Sequence, residues 1–127
     1  MLKNSQEHFN NTEIDINKII VKSLRLQLEK MQQGKKQGRT DVKFRVLKSF
    51  IETLETKSFE EAFTELNESR KHAIITRLEN ETEHMGGKIP YNFVKKLEQI
   101  LYGVDANNKK IDFSKKVELE NKLQEEN

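Results

Sequence analysis

The sequence predicts an all-α protein: a small bundle of about five helices, a helix-turn-helix hairpin over 58–85, and polar tails. Three observations carry this. Apolar residues recur at three- and four-residue spacing in successive segments. Helix-start and helix-stop residues punctuate those segments. No stretch of useful length alternates apolar and polar residues with a period of two, so little or no sheet is expected.

Taken in order, residues 1–11 are polar and read as a flexible N-terminal tail. A basic amphipathic helix follows over 12–34. Thr12 and Asp15 give a weak start pattern, and Gly34 a stop. Ile16, Ile20, Leu24 and Leu28 recur every four residues along it, with Ile19 and Met31 widening the stripe. That stripe either joins the core or forms a contact between two copies of the chain; its length and the flexible loop after it favour the dimer contact. Lys35 to Arg39 holds glycine and no apolar residue, which argues against packing.

The helical core domain is placed at 40–103. Thr40 or Asp41 caps a helix carrying Leu47, Phe50, Ile51 and Leu54. Ser58-Phe59-Glu60-Glu61 is a capping box opening a short helix with Phe59, Phe63 and Leu66 inward. Asn67-Glu68-Ser69 is a tight turn, and the next helix, with Ala73, Ile74, Leu78 and Met85 on one side, is expected to run to Gly86-Gly87. Pro90 suits the first turn of a helix whose core face holds Val94, Leu97, Ile100 and Leu101, closed by Gly103. Residues 104–127 form a polar connector and a helix from about Ser114 to Gln124, whose thin stripe of Val117, Leu119 and Leu123 makes it marginal in isolation.

With 127 residues, 34% apolar and 35% charged, the chain fits one small domain with tails. It has no cysteine, so thiolate chemistry and disulfides are excluded. No apolar run approaches membrane-spanning length and the N-terminus lacks the apolar stretch of a secretion signal, which points to a cytoplasmic protein with no membrane partner. The excess of Lys, Asn, Ile and Glu fits an AT-rich genome, such as that of a low-GC bacterium or its phages and plasmids.

Charge supplies the functional expectation. Lys18 to Lys48 carries ten basic residues against two acids, Glu29 and Asp41, whereas Glu52 to Glu68 carries six acids against Lys57. A formal net charge of +2 therefore hides a strongly dipolar chain. Lys22, Arg25, Lys35, Lys36, Arg39, Lys43 and Arg45 are the candidates for neutralising a nucleic-acid backbone, DNA in the first instance. The hairpin over 58–85 has a helix-turn-helix layout, with Arg70, Lys71 and Arg77 placed to reach base edges. Its turn lacks the usual glycine, and Glu79, Glu81 and Glu83 would repel phosphate if they faced it. Phe44, between Lys43 and Arg45, either stacks on a base or caps the core.

Catalytic and metal patterns are missing. His72 and His84 are twelve residues apart, not at a helical metal-pair spacing, and His8 falls in the tail. Asp105-Ala106-Asn107 starts like a calcium loop but lacks its central Gly and terminal Glu. Gly86-Gly87-Lys88 lacks the rest of a phosphate-binding loop. The expectation is a non-enzymatic regulatory or accessory protein of mobile-element type, without cofactor or metal. It would bind nucleic acid and form a homodimer through Ile16, Ile20, Leu24 and Leu28. The alternative is a helical adaptor or inhibitor that docks an acidic partner protein.

Overall fold

Helical spacing becomes six α-helices in the computed structural model, which describes residues 2–34, 41–104, 107 and 110–126, with 2–15 described through their backbone alone. They are α1 (Leu2–Gly34), α2 (Val42–Thr53), α3 (Phe59–Thr64), α4 (Glu68–Glu79), α5 (Tyr91–Tyr102) and α6 (Phe113–Glu125). Two isolated bridges, Thr82 with Ile89 and Val104 with Ile111, are the only extended pairing among the described residues.

The axis of the bundle is α4, which packs against α1, α2, α5 and α6. Its sequence dictates this place. His72, Ala73, Ile74, Ile75 and Leu78 cover more than one side of a single helix, and all five are buried. A helix buried around most of its circumference must lie at the centre. The α3–α4 hairpin is present, with α4 set into the core. Along it Glu68 and Arg70 are exposed, and Lys71, Thr76, Arg77 and Glu79 are partly exposed. It also stops at Glu79, short of the expected Met85. The Ile89 amide donates to the Glu81 carbonyl at 2.9 Å, and the Glu83 amide to the Ile89 carbonyl at 2.9 Å, turning residues 81–89 into a closed loop around a 3₁₀ turn at Glu83–Met85.

The expected start of α1 is likewise corrected. Its backbone is helical from Leu2, through the stretch read as a flexible tail and through Thr12. No Gly or Pro interrupts Leu2 to Gln33, so a helix nucleated by the packed half can propagate at little cost. Of the two places open to the α1 stripe, the structure shows it packed in the chain's own core. Ile20 and Leu24 are buried within the chain, and Ile16 and Leu28 pack beside them against the same core. Each buried aliphatic side chain of this kind contributes about 1.5–3 kcal/mol. The Gln27 side-chain amide donates to the Arg77 carbonyl at 2.7 Å, pinning α1 to α4.

Local signals set the other boundaries. Asp41 accepts from the Lys43 amide at 3.0 Å and opens α2. Ser58 Oγ accepts from the Glu61 amide at 3.3 Å, and the Glu61 carboxylate reaches back to the same hydroxyl at 3.1 Å. Asn67 caps α4 through the Arg70 amide, and Asp112 caps α6 through the Lys115 amide. Phe59 gathers Phe50, Phe63 and Phe93 at centroid distances of 5.3–5.6 Å, joining α2, α3 and α5. Phe44 is buried, at 5% exposure, and offers no exposed ring for a base to stack on. The thin stripe of α6 suffices, because Leu119 and Leu123 are fully buried, with α6 packed on α4, α2 and α5.

Candidate interaction surface

The bases singled out in the sequence do not form one patch. Lys43 on α2 pairs with Glu120 at 3.1 Å, and Arg45 donates to the Glu126 carbonyl at 3.3 Å. Arg70 pairs with the Glu126 carboxylate at 3.1 Å, and Lys71 sits over the Phe63 ring. Arg77 is partly buried. Exposed ion pairs of this kind are worth less than about 1 kcal/mol each, but they set a carboxylate beside Lys43 and Arg70, two of the bases expected to meet nucleic acid. Lys35, Lys36 and Arg39 lie outside the described residues.

What remains is the outer face of α1. Lys18, Lys22 and Leu26 follow one another at four-residue spacing and form a ridge. Lys18 and Lys22 are exposed and have no ion-pair partner among the described residues. Arg25 stands beside them and pairs with Glu55 at 3.4 Å. A cleft lies on each side of the ridge. One, of about 560 Å³, runs past Val21, Arg25 and Leu54. The other, of about 530 Å³, lies against the 81–89 loop, with Met85, Lys88 and Glu81 on its far wall. Leu26 is 45% exposed and Met85 67% exposed. Sequence reading found Lys22 and Arg25 but not Leu26, Met85 or Lys88. The one available signal was Gly86-Gly87 between Met85 and Lys88, which marks a turn but not what it faces.

The loop that carries Met85 is fixed. Thr82 and Ile89 are buried at its base. The Gly87 amide donates to the Thr82 carbonyl at 2.8 Å, and the Met85 amide to the same carbonyl at 2.9 Å. Gly86 adopts φ +87°, which only glycine takes without strain, and a Cβ on Gly87 would meet the Glu81 carbonyl oxygen at 2.1 Å.

A second cluster is polar and closed off. His72 lies between the Tyr102 hydroxyl, 2.7 Å from Nδ1, and Glu120, 2.8 Å from Nε2. Burial pushes the Glu120 carboxyl up, but hydrogen bonds from Gln124, His72 and Lys43, with the Lys43 charge, bring it down to about 2. Burial and the charges of Glu79, Glu98 and Glu120 push the Tyr102 hydroxyl well above the usual phenol range. Glu98 is pushed up to about 8 by burial and by the hydrogen bond and charge of Glu79, against the pull of Lys116 and Lys95. Glu79 in turn pairs with Lys116 at 3.4 Å. His72 and Tyr102 are 2% and 3% exposed, so no substrate reaches them. The cluster binds α2, α4, α5 and α6 together.

Among the described residues no group of three or more His, Asp or Glu could hold a metal ion, and no helix is long and apolar enough to cross a membrane. Comparison with family models, curated proteins and solved structures gives no match.

Proposed function

We propose that the protein is a helical interaction module that docks an acidic segment of a partner protein on the outer face of α1. The observation that carries this reading is the Lys18–Lys22–Leu26 ridge between two clefts. Lysines with no ion-pair partner among the described residues supply long-range attraction to acidic groups and orient the encounter. Exposed Leu26 and Met85 supply apolar area that a phosphate backbone would leave wet. Apolar clefts lined mostly by bases favour a polypeptide carrying both acids and large apolar side chains.

Nucleic-acid binding is the second reading. It rests on Lys18, Lys22 and Lys30, exposed along the helix that leads into Lys35, Lys36 and Arg39. A titration at low salt separates the two. The full chain is mixed with a labelled acidic amphipathic helical peptide, with mixed-sequence duplex DNA and with single-stranded RNA. Saturable binding of the peptide alone is expected. Binding of nucleic acid with a steep salt dependence, and none of the peptide, would establish the second reading instead.

A further inference from the structure

We infer that the partner's docking element is an acidic amphipathic helix, and that its seat is the cleft between α1 and the 81–89 loop rather than the cleft beside Val21 and Leu54. The inference rests on the interaction-module reading and assigns it an occupant and a place.

Charge decides the chemistry of the occupant. Lys18, Lys22 and Lys88 line this cleft against the single acid Glu81, three positive groups to one negative. None of the three lysines has an ion-pair partner among the described residues. The opposite cleft shares Lys18 and Lys22 and sets Arg25 against Glu29, but Arg25 is already paired with Glu55 at 3.4 Å, which leaves it two unpaired bases to the loop side's three. Acidic side chains therefore gain more on the loop side.

Shape decides its form. Lys18 to Leu26 spans two turns of α1, about 12 Å along the helix axis. A helix of two to three turns laid beside α1 matches that length, and an α-helix in a groove between a helix and a second wall is a recurrent mode of peptide recognition. Leu26 and Met85 stand on the two walls, where one large apolar side chain of the partner can enter between them. Met is the residue best able to adapt its shape to such an anchor. The wall that presents it is preorganised by the hydrogen bonds at Thr82, Glu81 and Ile89, so little ordering entropy is lost on docking. Acids flanking the anchor on the partner then meet Lys18 and Lys22 on one side and Lys88 on the other.

The test is a peptide-phage selection against the immobilised full chain. It is followed by titration of the enriched peptides into wild type and the Met85→Glu, Lys88→Glu and Arg25→Glu variants, each checked for an unchanged far-ultraviolet circular dichroism spectrum. All three positions are on the surface, so folding is expected to survive. The expected result is enrichment of peptides with acids around apolar residues at helical spacing. Met85→Glu and Lys88→Glu should each weaken them about tenfold or more and Arg25→Glu less than about twofold, tenfold being about 1.4 kcal/mol. Amide shifts in a ¹⁵N-labelled chain should concentrate at residues 18–26 and 85–88. Acidic peptides that depend on Arg25 and ignore Met85 and Lys88 would overturn the seat and leave the α1 reading standing. Enrichment of basic or uncharged peptides, or of none, would overturn both.

Discussion

His72 Nε2 lies 2.8 Å from Glu120 Oε1, and this contact ties the central helix to the last one. An ionised carboxylate only accepts, so Nε2 donates to Glu120, while Nδ1 shares a hydrogen bond with the Tyr102 hydroxyl at 2.7 Å. Replacing His72 with alanine leaves the Tyr102 hydroxyl without this partner and opens a void at a buried position. The expected loss is about 2–4 kcal/mol, read as a lower urea midpoint with an unchanged slope. His72→Gln keeps a donor and an acceptor and should lose less. A loss under about 0.5 kcal/mol for His72→Ala would mean that the contact contributes nothing.

Stability should fall as pH rises from about 4.5 to about 8, and Glu98 is the cause. Its carboxyl is raised to about 8 in the folded chain, from 4.5 ordinarily, by burial and by Glu79. Between those values the folded chain holds a proton that the unfolded chain has released, so stability decreases as pH rises. The contribution is complete below about 4.5 and lost through about 8. Facing Glu98 are Glu79 from α4, Lys116 from α6, and Lys95 and Tyr102 on its own helix. Glu98→Gln mimics the protonated form and should flatten the fall in melting temperature between pH 6 and pH 9, a range set to bracket that carboxyl's rise to about 8. A wild-type slope retained in full by the variant would contradict this assignment. Glu120 works in the opposite sense: its lowered carboxyl contributes above its ordinary value, and that contribution is lost as pH falls through about 2.

α6 should hold the bundle together despite its thin stripe. Leu119 and Leu123 are fully buried. Leu119→Ala and Leu123→Ala are each expected to cost about 2–5 kcal/mol in chemical denaturation. Val117→Ala, at a position 44% exposed, should cost well under about 1 kcal/mol. Equal effects at all three positions would contradict the observed face.

Gly87→Ala should spring the 81–89 loop. The added methyl would meet backbone atoms of Glu81, which have no free rotor to move aside. A loss of about 1–3 kcal/mol is expected, with faster exchange of the Ile89 amide, which now donates to the Glu81 carbonyl. Unchanged protection of that amide would show that the loop absorbs the methyl.

Much of this fold can be read locally. Ser58 with Glu61, and Asp41 with the amide of Lys43, open their helices as side-chain chemistry predicts. Contacts distant in sequence cannot be read this way. The Ile16–Leu28 stripe shows that α1 must be covered, but not whether by its own chain or another; Ile20 and Leu24 turn inward. The stripe of α6 looks too thin because the matching surface belongs to α4, some fifty residues earlier. Arg70 looks like a reading side chain until Glu126 arrives beside it from the far end of α6. The candidate surface has the same character: Lys22 and Arg25 announce themselves by charge, whereas Met85 and Lys88 join them only through the folding of a loop about sixty residues away.

The claim that α1 presents a docking face for acidic polypeptide is tested most directly by one titration. A labelled acidic amphipathic peptide is added to wild type and to a Lys18→Glu/Lys22→Glu variant. Both lysines are exposed, so the variant should melt within a few degrees of wild type. Saturable binding to wild type, weakened about tenfold or more in the variant and by added salt, is the predicted result. Binding that is absent from wild type, or unchanged by reversing both charges, would contradict it.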